Sequence, residues 1–241
     1  MLKIENLNKS IRKKHILQSV NLALDNGVYG FLGPNGAGKT TLIRCITGVY
    51  KFKVGTIELD GVEYGNKEYA DKIGYLPQSF GLFKDMTVYD VMMYMASFKY
   101  KKEDAAKEAV LNAVENVNLT DRINDKVKTL SGGMKRRLGI AQALLGDAKV
   151  LIFDEPTAGL DPEERIRFKK IISELEKDKI VIISTHIVSD VEDICDKVIV
   201  IDNGIILMNG TVEELKNMAS TENLKNTSQL EEGYLCVLKG Q

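Results

Sequence analysis

The sequence predicts an α/β protein with a mainly parallel sheet, an antiparallel β portion and an inserted helical lobe. Three observations lead there. Near-continuous apolar runs, VLIF at 150–153 and IVII at 180–183, read as strands buried on both faces of a parallel sheet. A glycine-rich stretch, GPNGAGKT at 33–40, lies between a strand-like and a helix-like segment. Short alternating segments ending in Asp-Gly or Asn-Gly turns occur near both ends.

Taken in order, Leu2-Lys3-Ile4-Glu5 and Val20-Asn21-Leu22-Ala23-Leu24 alternate as half-buried strands do. Val28-Tyr29-Gly30-Phe31-Leu32 reads as a short buried strand, and residues 41–47 read as a helix closed by Gly48. Thr56-Ile57-Glu58-Leu59 runs into Asp60-Gly61, a hairpin turn, so the chain is β-rich to about Tyr64. From about Thr87 to Gly146 the pattern is helical, with Val110, Ala113, Val114 and Val117 at helical spacing. Strands and helices alternate from Lys149. The run at 197–201 ends at Asp202-Asn203-Gly204 and returns through 205–207, a hairpin at the sheet edge. In the tail beyond Lys216, Leu230, Tyr234, Leu235 and Leu238 share a helical face. Gly233 weakens that helix by ~1 kcal/mol relative to alanine. A short helix docked on the domain is the expectation, with a dimer or partner contact as the alternative. No internal repeat is visible.

Composition narrows the function classes. The chain has 241 residues, 44% of them hydrophobic and 28% charged, which is the balance of a globular protein. A net charge of -1 lacks the basic excess expected of a nucleic-acid binder. No apolar run approaches the ~18 residues that cross a bilayer. The N-terminus, MLKIENLNKS, lacks the apolar core of a secretory signal, so a cytosolic location is expected. Cys45, Cys195 and Cys236 are scattered and odd in number, and read as packing residues.

The loop at 33–40 fits G-x-x-x-x-G-K-[ST], the pattern that wraps nucleotide phosphates. Its glycines allow backbone N–H groups to turn inward as an anion nest. Lys39 can reach the β- and γ-phosphates, and the Thr40 hydroxyl can hold Mg²⁺. The following helix adds its N-terminal dipole. Asp154 and Glu155 follow the run at 150–153, at the strand end where parallel sheets bind ligands. Asp154 suits Mg²⁺, and Glu155 can face the water that attacks the γ-phosphate. Ser131 reads as the N-cap of a helix running to about Leu145. The two glycines after it, Gly132 and Gly133, are costly in a first turn, and make sense if a charged group approaches bare N–H groups. The basic run Lys135-Arg136-Arg137 reads as a solvated helix face.

With these motifs in order, the chain resembles the ATP-binding subunit of an ABC transporter, on a P-loop NTPase core. The series is GPNGAGKT at 33–40, YLPQ ending at Gln78, LSGGM at 130–134, LIFDEP at 151–156, AGLD at 158–161 and STH at 184–186. The resemblance covers residues 1–220, with a helical lobe at about 80–146, and leaves 221–241 as a tail with a short helix. It implies ATP hydrolysis with Mg²⁺. It also implies a head-to-tail dimer in which the loop of one subunit and Ser131, Gly132 and Gly133 of the other clamp each ATP. Nucleotide contacts carry over to Gly33, Pro34, Asn35, Gly36, Ala37, Gly38, Lys39, Thr40 and Thr41. Metal contacts carry over to Thr40, Gln78 and Asp154. Glu155 and His186 carry the catalytic roles with Gln78, and Asp161 links the two sites unless it is simply a helix cap. The position that usually bears an aromatic residue against adenine falls on Ile11, which would forfeit ~1–3 kcal/mol of stacking. Met134 stands where glutamine is common.

The resemblance also implies an integral membrane permease partner and a peripheral place on the cytoplasmic face of the cell membrane. Phe80, Leu82, Phe83 and the methionines Met86, Met92, Met93 and Met95 are the expected docking groove, core packing being the alternative for the methionines. The lack of a large C-terminal regulatory domain resembles exporters of drugs, peptides or lipids. A soluble member of the family, such as an iron–sulfur assembly ATPase, is the competing reading. A nucleotide kinase on the same loop would have no use for LSGG.

Overall fold

The computed structural model describes residues 1–175, 178–219 and 228–240. Two sheets and a helical lobe make up the fold. The antiparallel sheet has the order β2-β1-β4-β5, with β1 at Leu2–Ile11, β2 at Lys14–Leu24, β4 at Val54–Leu59 and β5 at Val62–Glu63. The second sheet has the order β10-β9-β3-β8-β7-β6. Its parallel strands are β3 (Gly27–Leu32), β6 (Ile73–Leu76), β7 (Val150–Asp154), β8 (Ile180–Ser184) and β9 (Lys197–Asp202). β10 (Ile205–Thr211) pairs antiparallel with β9 at the edge, as the Asp-Asn-Gly turn predicts. Asp60 and Gly61, at φ 50° and 79°, make the other turn, between β4 and β5.

The apolar runs become strands buried on both faces for a simple reason: successive side chains point to opposite sides. Leu151, Phe153, Val181 and Ile183 enter one apolar cluster, shared with the helical lobe. Val150, Ile152, Ile180 and Ile182 enter another, shared with the antiparallel sheet and helix α1 (Lys39–Ile46). Helix α2 (Lys67–Asp71) leads into β6, and α3 (Val88–Ala96), α4 (Glu103–Asn116) and α5 (Gly132–Leu144) form the lobe. Val110, Ala113, Val114 and Val117 are all buried there, as their spacing predicts. Helices α6 (Pro162–Leu175) and α7 (Val188–Ile194) connect the later strands.

Bare glycines permit two close packings. Gly74 of β6 lies where a side chain would meet the Ala143 carbonyl at 2.1 Å, so α5 rides directly on the sheet. Gly204, at φ 78°, lies where one would meet the Ile16 carbonyl at 2.1 Å. That approach, sealed by Gln18 N–H donating to the Gly204 carbonyl at 2.9 Å, brings β2 against the β9–β10 turn.

Several local expectations are corrected. Arg136 and Arg137 are buried rather than solvated, because main-chain carbonyls and Glu164 take up their N–H groups. Met92 is fully buried, and Met86, Met93 and Met95 pack against the lobe's core, so the methionines are packing residues. The exposed apolar surface nearby is aromatic instead. Helix α8 (Val212–Asn217) supports α9 (Gln229–Lys239), where Leu230 and Cys236 are buried but Leu235 is exposed. The docked face is therefore turned away from Leu235 and onto Gly233, whose missing side chain would meet the Leu215 carbonyl at 1.9 Å. The expected boundary at 220/221 falls outside the described residues. All three cysteines are buried, in keeping with a packing role.

Candidate nucleotide site

The parallel register aligns three strand ends. Asp154 of β7 is opposite Ser184 of β8, and Phe31 of β3 is opposite Ser184 on its other side. The loop after β3, the carboxylates after β7 and the histidine after β8 must therefore emerge at one edge. They surround a cavity of about 430 Å³. Pro34, Asn35, Gly36, Gly38, Lys39, Thr40 and Thr41 form its floor, with Asp154, Glu155, Gln78 and His186 opposite. Gly33 and Ala37 lie buried behind the loop. Gly33 cannot carry a side chain, since one would meet the Ile201 carbonyl at 2.3 Å. Gly36 and Gly38 adopt φ 84° and 114°, conformations natural to glycine alone.

Lys39 is nearly buried, and its ammonium donates to the carbonyls of Gly33 and of Pro34, the latter at 3.2 Å. Burial lowers its pKa, while Glu155 and Asp154 oppose that shift. Asp154 is 2% exposed. Burial raises its pKa, and the adjacent Glu155 adds to the shift, against the pull of Arg44 and Lys39. Both groups thus stand as charges held in poor solvation, a state that an ionic ligand relieves.

The donor chemistry fits Mg²⁺. Among the described residues no group of three or more His, Cys, Asp or Glu side chains could hold a metal. Among the oxygen donors that line the cavity are the Asp154 carboxylate, the Thr40 hydroxyl and the Gln78 amide. A hard cation that keeps waters and shares the substrate's phosphates needs no more.

Glu155 has a feature that no sequence pattern disclosed: φ is +51°. A non-glycine residue in this left-handed region stores strain, and such strain clusters at functional sites. Its N–H donates to the Ser184 carbonyl at 2.8 Å, extending the β7–β8 ladder by one bond. Its carboxylate oxygens both lie 2.9 Å from His186 Nδ1. Glu155 is buried whereas the His186 side chain is 59% exposed, so the pair spans the cavity wall from inside to rim.

Other predicted residues lie elsewhere. Ile11 is exposed and pairs with Lys14 across the β1–β2 turn; Lys14 and Ile16 line that end of the cavity. Their aliphatic and cationic character was not anticipated from the sequence. Ser131, Gly132 and Gly133 do not line the cavity. Ser131 caps α5 as expected, accepting the Met134 N–H at 3.1 Å. Asp161 also acts as a cap, accepting the Glu164 N–H at 2.9 Å at the start of α6. Arg136 was missed because a basic run defaults to solvent. It contacts the main chain of both Gln78 and Glu155.

Comparison with known proteins agrees with this geometry. A family model described as "ABC transporter" matches residues 17–158. The linearmycin resistance ATP-binding protein LnrL of Bacillus subtilis is 38% identical over 220 residues, spanning 89% of this chain and 70% of that protein. The lantibiotic transport ATP-binding protein SrtF of Streptococcus pyogenes is 36% identical over 220 residues, spanning 90% and 94%. The solved structure of cbiO1 from Clostridium perfringens, part of the ABC transporter complex cbiONQ, superposes with a TM-score of 0.80 at 29% identity, covering 100% and 98%.

Proposed function

The chain belongs to the ABC transporter family as an ATP-hydrolysing subunit, and on that premise we propose that it powers an export permease from the cytoplasmic face of the membrane, as half of a head-to-tail ATPase dimer. The observation that carries this is the convergence of the phosphate loop, Asp154–Glu155 and His186 on one cavity, while Ser131 and Gly132 lie outside it. A phosphate clamp with half its donors turned elsewhere is complete when a second subunit faces it.

The reaction is hydrolysis of ATP to ADP and phosphate. The loop's N–H groups and Lys39 bind the β- and γ-phosphates and stabilise charge on the phosphoryl oxygens. Mg²⁺, held by Thr40, Asp154 and Gln78, would supply further neutralisation of that charge. Glu155 accepts a proton from the attacking water, which it is placed to orient from inside the cavity wall. His186, at the rim, holds the γ-phosphate and steadies the Glu155 carboxylate through Nδ1. Each nucleotide state favours a different dimer arrangement, and the permease follows that equilibrium.

Support for the membrane partner comes from an aromatic ladder on the lobe. Phe83, Tyr94 and Phe98 are exposed, with ring centroids 5.3 and 5.2 Å apart in edge-to-face contacts. Phe83 lies on the segment between β6 and α3 that also carries Gln78, which would link a docked helix to the nucleotide site. Among the described residues no helix is long and apolar enough to cross a membrane. The names of the linearmycin resistance and lantibiotic transport relatives favour export of a drug, peptide or lipid. The experiment is Glu155→Gln: the variant should form a stable dimer in ATP with turnover nearly abolished. Size-exclusion showing monomers alone at saturating ATP would refute the dimer. Crosslinks from Phe98 to a multi-span protein in native membranes test the docking face, and crosslinks that miss every membrane protein would remove it.

A further inference from the structure

Arg136, in the second turn of α5, is 9% exposed. Its hydrogen bonds go to main-chain carbonyls rather than to a carboxylate. Nε donates to Pro156 at 2.9 Å, Nη1 to Gln78 at 3.1 Å, and Nη2 to Glu155. The planar fork of the guanidinium makes such a three-way junction possible, which a lysine ammonium cannot reproduce. The Phe80 ring covers the guanidinium, 5.9 Å from its centroid, and packs against Gly139 one turn further along α5. One side chain therefore joins the segment after β6, the turn after β7 and the helix that begins at Ser131.

The Glu155 carbonyl that it binds belongs to the residue at φ +51°. A residue in that conformation relaxes unless its surroundings hold it there. The direction of the Glu155 carboxylate follows from its backbone, so whatever holds the carbonyl also aims the side chain. We propose that Arg136 is a positioning residue for hydrolysis: it fixes the left-handed Glu155 backbone and makes that geometry depend on the position of the Gln78 segment. The inference rests on the reading of Glu155 as the residue that activates water.

The test compares kcat and KM for ATP in the full chain carrying Arg136→Met, Arg136→Lys or Glu155→Gln. Misaligning a reacting group by about 1 Å costs roughly 100-fold, so Arg136→Met should lose kcat on that scale. Its KM should stay within about twofold, because loss of a transition-state interaction leaves ground-state binding intact. Arg136→Lys should recover part of the lost kcat. Wild-type kcat in a folded Arg136→Met chain, or a loss confined to KM, would overturn the proposal. If the methionine variant does not fold, the lysine variant decides: a folded chain with unchanged kcat overturns the proposal, and a selective loss of kcat supports it. Glu155→Gln separates the two layers. Retained turnover there removes the water-activation reading itself, whereas an inactive Glu155→Gln beside a fully active Arg136→Met removes the role of Arg136 alone.

Discussion

Alanine at Gly132 and at Gly133 should have opposite effects, although the two glycines are neighbours in the same helical turn. Both have negative φ, so a side chain brings no backbone strain at either site. At Gly132 an added Cβ meets nothing within 4 Å. At Gly133 it would lie 2.5 Å from Glu164 Cδ. That carboxylate cannot swing away freely: it accepts from Arg137 Nε at 3.1 Å and from Arg167 at 2.9 Å, and Arg137 is itself buried. Crowding of this kind costs ~1–3 kcal/mol, and losing the buried pair raises the cost to ~3–5 kcal/mol. At Gly132, alanine instead restricts the unfolded chain and should add ~0.4–1 kcal/mol. For a chain of this size ~1 kcal/mol moves Tm by ~2–4 °C. Thermal denaturation should therefore show Gly133→Ala melting lower by at least ~2 °C and Gly132→Ala unchanged or higher. ATPase assays should show Gly132→Ala impaired despite its stability, by roughly 100-fold, because the added methyl would hold the incoming phosphate about 1 Å from its place. The open space at Gly132 then serves a phosphate brought by the facing subunit. Full turnover by Gly132→Ala, or an unchanged Tm for Gly133→Ala, would refute this assignment.

Three further outcomes are expected. Asp154→Asn should raise Tm at pH 7 in metal- and nucleotide-free buffer while abolishing turnover. Burial raises the Asp154 pKa above the ordinary 3.8, so its stability contribution is full below that value and is lost as pH rises through the folded pKa. The gain from asparagine should accordingly vanish on acidification toward pH 3.8, and a lower Tm at pH 7 would contradict the argument. Gly233→Ala gains up to ~1 kcal/mol of helix propensity, but its methyl would lie 1.9 Å from the Leu215 carbonyl. The clash, with backbone that cannot rotate aside, should prevail and lower Tm by differential scanning calorimetry; a higher Tm would show that α9 shifts easily. Ile11→Tyr, beside the cavity end formed by Lys14 and Ile16, should tighten ATP binding roughly 5- to 150-fold through ~1–3 kcal/mol of stacking. Isothermal titration showing an unchanged Kd would exclude that surface as the base platform.

The features legible from the residues alone were those set by short-range chemistry. Apolar runs specified buried strands because side chains alternate, and Asp-Gly and Asn-Gly specified turns because positive φ suits few residues. The loop at 33–40, the Ser131 cap and the placement of Asp154 at a strand end follow from the same local rules. Tertiary structure alone decided which sides of α3 and α9 are covered and where the buried arginines find partners. Arg136 binds carbonyls 58, 20 and 19 residues away, so nothing in its own neighbourhood could mark it as buried. Gly133 and Gly233 are small because of Glu164 and Leu215, residues of other helices. The methionines turned inward and the aromatics outward by virtue of packing between α3 and its neighbours. The left-handed Glu155 likewise depends on bonds from β8 and α5. A backbone state that is unfavourable locally can be stable only when distant groups satisfy it, and those groups come together only on folding.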